Sequence, residues 1–153
     1  MYHRILLMDD GSTLARGAVP HAVAFALSAH AEVLVLRVSH AAGEDSGRLT
    51  SDSWRARVHR DVAEDTAEGE QVEAYPPLSD VTASLTDAGV DAVGTLVVKD
   101  SDAGAAIVEV AARLGCDLIV MSTHGLSGVR RAVLGSVANH VVHHSCVPVL
   151  LCR

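Results

Sequence analysis

Three short stretches of this chain are apolar on nearly every residue: Ile5 to Met8, Val33 to Val38 and Asp117 to Met121. A strand buried on one face alternates apolar and polar side chains. A strand covered on both faces does not, and helices on both faces are the ordinary reason. The segments between these runs carry the helical repeat instead. Ala18, Ala22, Phe25, Ala26 and Ala29 share one face, as do Ile107, Val110, Ala111 and Leu114, and again Leu134, Val137, Ala138 and Val141. Strands and helices in alternation imply an α/β fold with a mostly parallel open sheet and helices on both faces.

The remaining elements follow from punctuation. Asp9-Asp10-Gly11 stops the first strand at a turn, and Pro20 requires the first helix to start or bend near Gly17. Leu78 to Ala88 reads as a helix with Gly89 at its C-cap, Leu96 to Val98 as belonging to a third strand, and Ala103 to Leu114 as a helix ended by Gly115. Leu134 to His144 is the last helix and Val147 to Leu151 the last strand. Pro148 cannot donate to a ladder, so that strand is expected at an edge. Between the second strand and Leu78, residues 40–53 read as a polar loop and Asp52 to Asp65 as a helix, before Pro76 and Pro77 break the chain. With 153 residues, no repeat and no second domain, residues 1–153 form one domain.

Composition narrows the function. The chain is 49% hydrophobic but only 3% aromatic, so its core is aliphatic. Twelve basic against nineteen acidic residues give a net charge of −7, which disfavours a nucleic-acid or anionic-membrane surface. Cys116, Cys146 and Cys152 are odd in number and fit no zinc spacing. They read as buried thiols in a reducing compartment. Charge appears too early in Met1 to Asp10 for a signal peptide, and no apolar run reaches membrane-spanning length, so a cytoplasmic location is expected.

The chemistry concentrates in Met121 to Ser136, MSTHGLSGVRRAVLGS, which leaves a buried strand and enters a helix. Open α/β sheets bind ligands at the carboxyl ends of their strands. Gly125, Gly128 and Gly135 permit close backbone approach and positive φ. Ser136 is placed to cap the helix, whose free amides attract phosphate, and Arg130 and Arg131 supply charge. The competing interpretation is an ordinary glycine-rich connection. No Lys precedes Ser136, so this is not a Walker A loop, and the first strand leads into no GxGxxG. Asp10 is suited either to hold a ribose or adenine amino group or simply to close a turn ahead of Gly11-Ser12-Thr13.

Taken together and in order, Ile5-Leu6-Leu7-Met8-Asp9-Asp10-Gly11-Ser12, Leu34 to Val38, Asp117-Leu118-Ile119-Val120-Met121-Ser122-Thr123-His124-Gly125, Gly135-Ser136-Val137-Ala138 and Cys146-Val147-Pro148-Val149-Leu150-Leu151 resemble the universal stress protein family along essentially the whole chain. The resemblance implies a Rossmann-like, adenine nucleotide α-hydrolase-like sheet of strand order 3-2-1-4-5. In the ATP-binding branch a glycine, two residues, a second glycine and nine residues precede Gly-Ser or Gly-Thr. Gly125, Leu126 to Leu134, Gly135 and Ser136 match this pattern, while Ser122 occupies the first glycine position. By resemblance Asp10 contacts ribose or adenine, and Met8, Val38 and Met121 shape the base pocket. Thr123, His124 and Gly125 line the nucleotide, and Gly135, Ser136 and Val137 hold its phosphates together with Mg2+.

The function so implied is an ATP-binding stress-response regulator, not an enzyme, with hydrolysis at most slow or partner-dependent. The resemblance also implies a homodimer through Val147 to Cys152, an apolar edge that would otherwise remain exposed. Two alternatives stand beside it. One is a dimerising module without nucleotide, which Ser122 accommodates. The other is a nucleotide α-hydrolase enzyme, for which Asp10-Gly11-Ser12 is too short a loop. The other polar groups read as structural. His140 and His144 lie one turn apart without a carboxylate or Cys to complete a metal set, so with His143 they form a solvated helix face. His124 has no nucleophile beside it. Glu64, Asp65, Glu68, Glu70 and Glu73 lack EF-hand alternation, and Trp54 reads as a packed helix residue.

Overall fold

The computed structural model describes residues 1–39, 78–90, 93–99, 102–123 and 134–153. Five strands form one sheet: β1 (Arg4–Met8), β2 (Glu32–Ser39), β3 (Val93–Lys99), β4 (Leu118–Ser122) and β5 (Val149–Cys152). Their order is β3-β2-β1-β4-β5, and all four pairings are parallel. The expected order is therefore the observed one, the sheet is wholly parallel, and β5 is an edge strand with Pro148 just before it.

Parallel neighbours need crossover connections, and the helices supply them: α1 (Val19–Ala29), α2 (Ser79–Asp87), α3 (Ala103–Arg113) and α4 (Ser136–His144). The period of two along each strand sorts the core into two clusters. Ile5, Leu7, Val33, Val35, Leu118 and Val120 pack with Ala22 and Ala26 of α1 and Val81 and Leu85 of α2. Leu6, Met8, Leu34, Leu36, Ile119 and Met121 pack with Ile107 and Val110 of α3 and Ala138 and Val141 of α4. Successive side chains enter opposite clusters, so the strands have no room for polar alternation.

Several boundaries differ from those the sequence suggested, for local reasons. The segment Ala15–Ala18 is a 3-10 turn, and α1 begins only at Val19. Pro20 then lies in the first turn, where its missing N–H is harmless. α1 ends on His30 in the left-handed region at φ 52°, with Ala31 N donating to Ala26 O at 3.0 Å. β3 contains Leu96 to Val98, as expected, and pairs with β2 from Val93 to Lys99. The last strand starts at Val149, not Val147. Ser145 Oγ accepts from Val147 N at 3.1 Å and donates to Val147 O at 2.8 Å, which ties residues 145–147 into a turn. That turn exposes Cys146, correcting the expectation of three buried thiols; Cys116 and Cys152 are buried. The readings of residues 40–77, including Trp54 and the acidic Glu64 to Glu73 stretch, fall outside the described residues. None of the described helices is long and apolar enough to cross a membrane.

Gly104 marks the closest approach between α3 and α4. A Cβ placed there would lie 2.7 Å from both Cβ and Cγ of His140. Half-buried His140 thus packs on α3, and its ring stacks on that of exposed His144 with centroids 4.2 Å apart. Replacing a helical glycine by alanine ordinarily stabilises by about 0.5–1 kcal/mol. Overpacking costs about 1–3 kcal/mol, so it wins here. We expect Gly104→Ala to lower the Tm by several degrees in a thermal melt. A Tm at or above the parent's would show that α3 and α4 do not approach this closely.

Candidate functional site

The parallel register brings the carboxyl ends of three strands together. Met8 is paired with Leu36, and Leu7 with Val120. Continuing these registers by one to three residues sets Met8 level with Met121, and Asp10 level with Val38 and Thr123. Met8 and Met121 belong to the α3–α4 cluster, and Val38 packs against it. The three residues expected to shape a base pocket therefore meet on one face of the sheet, beyond the end of β1. Ser122 is in phase with Leu118 and Val120, which enter the opposite cluster.

Beyond β4 the backbone leaves and returns to one point. Thr123 N donates to Cys152 O at 2.9 Å, which extends the β4–β5 pairing by one residue. Gly135 N then donates to Thr123 O at 3.0 Å. This bond closes the excursion of residues 124–134 and seats the start of α4 against the end of β4. The sequence suggested Ser136 as N-cap, but the N-cap is Gly135 and Ser136 is the first helical residue. Gly135 has φ −58°, so a positive φ is not what it supplies here. The carbonyl of Gly135 already accepts from Asn139 N at 2.8 Å. The amides of Ser136, Val137 and Ala138 have no partner within the helix, and the dipole adds partial positive charge there. His124, Gly125, Gly128, Arg130 and Arg131 lie outside the described residues.

Asp10 is half-buried, and its Oδ1 accepts from Ser12 N at 2.9 Å. Ser12 Oγ in turn accepts from Ala15 N at 3.1 Å. Gly11 takes φ 79°, which glycine tolerates and most residues do not. Asp10 thus closes a turn, and only one of its carboxylate oxygens is used by that turn.

Sequence reasoning missed the neighbouring residue. Asp9 is 3% exposed and Arg37 8% exposed, and their side chains form a buried ion pair through Arg37 Nη2 and Asp9 Oδ2. Arg37 Nε also donates to the Asp9 carbonyl at 3.4 Å. The signal was present: Arg37 is the one charged residue inside the run Val33 to Val38. A cation buried in a strand needs a counter-charge. Removing one partner of such a pair typically costs about 3–5 kcal/mol.

The described thiols take no part in this cluster of side chains, although the Cys152 carbonyl does bond to it. Burial pushes the Cys116 thiol up from 9.0 to about 11, Arg4 opposing and Asp117 reinforcing the shift, and burial raises Cys152 as well.

A family model described as "Universal stress protein family" matches residues 1–153. Universal stress protein MJ0531 of Methanocaldococcus jannaschii is 31% identical over 153 residues, covering all of this chain and 83% of that protein. The solved structure of MJ0577, from the same organism, superposes with a TM-score of 0.73 at 27% identity, covering 99% of this chain and 96% of its own. A universal stress protein solved in complex with cAMP superposes with a TM-score of 0.66 at 21% identity, covering 99% and 97%.

Two outcomes check the thiol environments. At pH 8, dithionitrobenzoate should label one thiol per native chain quickly, and Cys146→Ser should abolish that fast phase. The neutral Cys116 thiol is favoured by the fold, so its contribution is complete below pH 9 and lost as pH rises through about 11. The alkaline fall in stability should therefore be shallower in Cys116→Ala, measured by denaturant titration at pH 8 and pH 10.5.

Proposed function

The chain belongs to the universal stress protein family, and from that premise we propose that it binds ATP at the carboxyl ends of β1 and β4 and acts as a nucleotide-dependent regulator rather than as an enzyme. One observation carries the reading. The Gly135 N–Thr123 O bond seats a helix start with a glycine cap beside the strand ends that carry Met8, Asp10, Val38 and Met121. That end of the sheet sets apolar side chains beside free helix amides, and an adenine nucleotide has the same polarity.

The residues fit such a ligand in three ways. Met8, Val38 and Met121 offer flexible or branched apolar surface to the face of a base. The carboxylate of Asp10 can accept from ribose hydroxyls or the adenine amino group. The amides of Ser136 and Val137 and the Ser136 hydroxyl can receive phosphate oxygens, as helix N-termini do. Ser122, at the first glycine position of the family pattern, is in phase with the cluster on the far side of the sheet. A serine there adds its hydroxyl away from the base-lining face. The solved cAMP complex has an adenine nucleotide on the same fold, which supports this class of ligand. The phosphates would carry Mg2+, which would neutralise their charge. His124, Gly125, Gly128 and Arg130 complete the proposed lining.

No described side chain at that end of the sheet is arranged to activate water, so the working state is the bound one. Binding would alter a surface that a partner reads. We further propose a homodimer through β5, an apolar edge strand whose Val149, Leu150 and Leu151 are half-buried. The proposed location is the cytoplasm.

Isothermal titration of the purified protein with Mg-ATP should give saturable 1:1 binding below millimolar nucleotide. Gly135→Val is free of backbone strain because φ is −58°. It should nevertheless weaken binding at least tenfold by placing a branched side chain at the phosphate cradle, and Asp10→Ala should weaken it about as much. Parent-like binding in both variants would place the nucleotide elsewhere. Heat flat to several millimolar would leave the dimerising, nucleotide-free module as the better account.

A further inference from the structure

Asp9 and Asp10 are chemically identical neighbours at the end of β1, yet the fold treats them differently. Asp9 is buried and Asp10 is half-buried. We propose that Arg37 selects which of the two is buried, and that the Asp9–Arg37 pair is thereby the positioning element that delivers Asp10 to the nucleotide. The second half of this statement rests on the reading given above; the first does not.

The argument begins with a cost. A carboxylate moved out of water without a counter-charge is strongly unfavourable, so neither aspartate would be buried on its own account. Arg37 removes that cost at one position only. The β1–β2 register pairs Met8 with Leu36, so Arg37 is level with Asp9. Arg37 is in phase with Val33 and Val35, which enter the α1–α2 cluster. Its guanidinium grips Asp9 twice, through Nη2 to Oδ2 and through Nε to the main-chain carbonyl at 3.4 Å.

The rest of Asp9 is engaged as well. Its N–H donates to Leu36 O at 2.9 Å, and its Oδ1 accepts from Gly11 N at 3.3 Å. Both carboxylate oxygens, the N–H and the carbonyl therefore all have partners. Asp10 sits between two fixed points, Asp9 behind it and Gly11 ahead. Its own bond to Ser12 N, and that of Ser12 Oγ to Ala15 N, continue the chain of contacts into the turn before α1. A slip of one residue at the strand end would exchange the two aspartates, and such slips send every side chain to the other face. With Arg37 in place, that slip would leave the guanidinium without its carboxylate. Arg37 acts on the turn through Asp9.

Amide exchange on the full-length 15N-labelled protein, without nucleotide, tests the selection itself. In Arg37→Met the Gly11, Ser12 and Ala15 amides should exchange at least tenfold faster, while Leu6 and Leu7 stay within about twofold; Arg37→Lys should recover part of the protection. Asp9→Val with Arg37→Leu removes both charges at once and covers the case in which Arg37→Met does not fold. The double variant should fold, lose protection at Gly11 and Ser12, and bind ATP at least tenfold more weakly than the parent. A purely structural pair would instead move all amides together, or would leave ATP affinity unchanged once the double variant folds. Either outcome overturns the proposal. If the parent itself binds no ATP, the nucleotide reading fails, and the exchange rates alone decide whether Arg37 fixes the turn.

Discussion

A parallel sheet with helices on both faces leaves its strands no solvated side, and from that constraint most of this molecule follows. Ile5, Leu7 and Val120 face one cluster, and Leu6, Met8 and Met121 the other. Polar groups can then enter only where strands end. At the carboxyl ends of β1, β2 and β4 the same alternation that built the core deals its last residues to two faces. Asp9 and Arg37 are sealed on one; Met8, Val38 and Met121 lie on the other.

The remaining construction at that end is made of backbone. Thr123 is held by Cys152 on one side and holds Gly135 on the other, so β5, β4 and the start of α4 share one short run of main-chain bonds. The Gly135–Thr123 bond joins the end of β4 to the start of α4 directly. It also links the proposed dimer edge to the proposed phosphate cradle through a single strand.

The fold was legible because burial on both faces makes each strand an unbroken apolar run, and because helical stripes such as Ile107, Val110 and Ala111 are one-sided. The order of the strands was not legible in spacing; it came with the family resemblance. Leu96 to Val98 was legible as part of a strand, but its ends were not, because Gly94 and Thr95 break the apolar run while the backbone pairs with β2 from Val93 onward. Cys146 was read as buried because its neighbours are apolar, but the Ser145–Val147 turn exposes it. Ser136 looked like a cap because serine often is one; here the cap is glycine, one residue earlier. At the strand ends, Asp10 stood out because it closes the first strand, whereas Met8, Val38, Met121 and Thr123 came with the family resemblance; the register sets them at one end of the sheet. The Asp9–Arg37 pair was not legible, because a charge inside a strand points to its partner only when the register between two strands is known.

The central claim is that one end of the sheet holds an adenine nucleotide, base against Met8, Val38 and Met121 and phosphates at the start of α4. Chemical-shift mapping of the 15N-labelled protein during addition of Mg-ATP addresses it most directly. The account predicts that the saturating shifts fall on residues 8–12, Val38, Met121 to Thr123 and Gly135 to Val137. The opposite end of the sheet, at His3, His30 and Glu32, should stay unchanged. Saturating shifts confined to that opposite end, or no shifts at all at millimolar nucleotide, would contradict it.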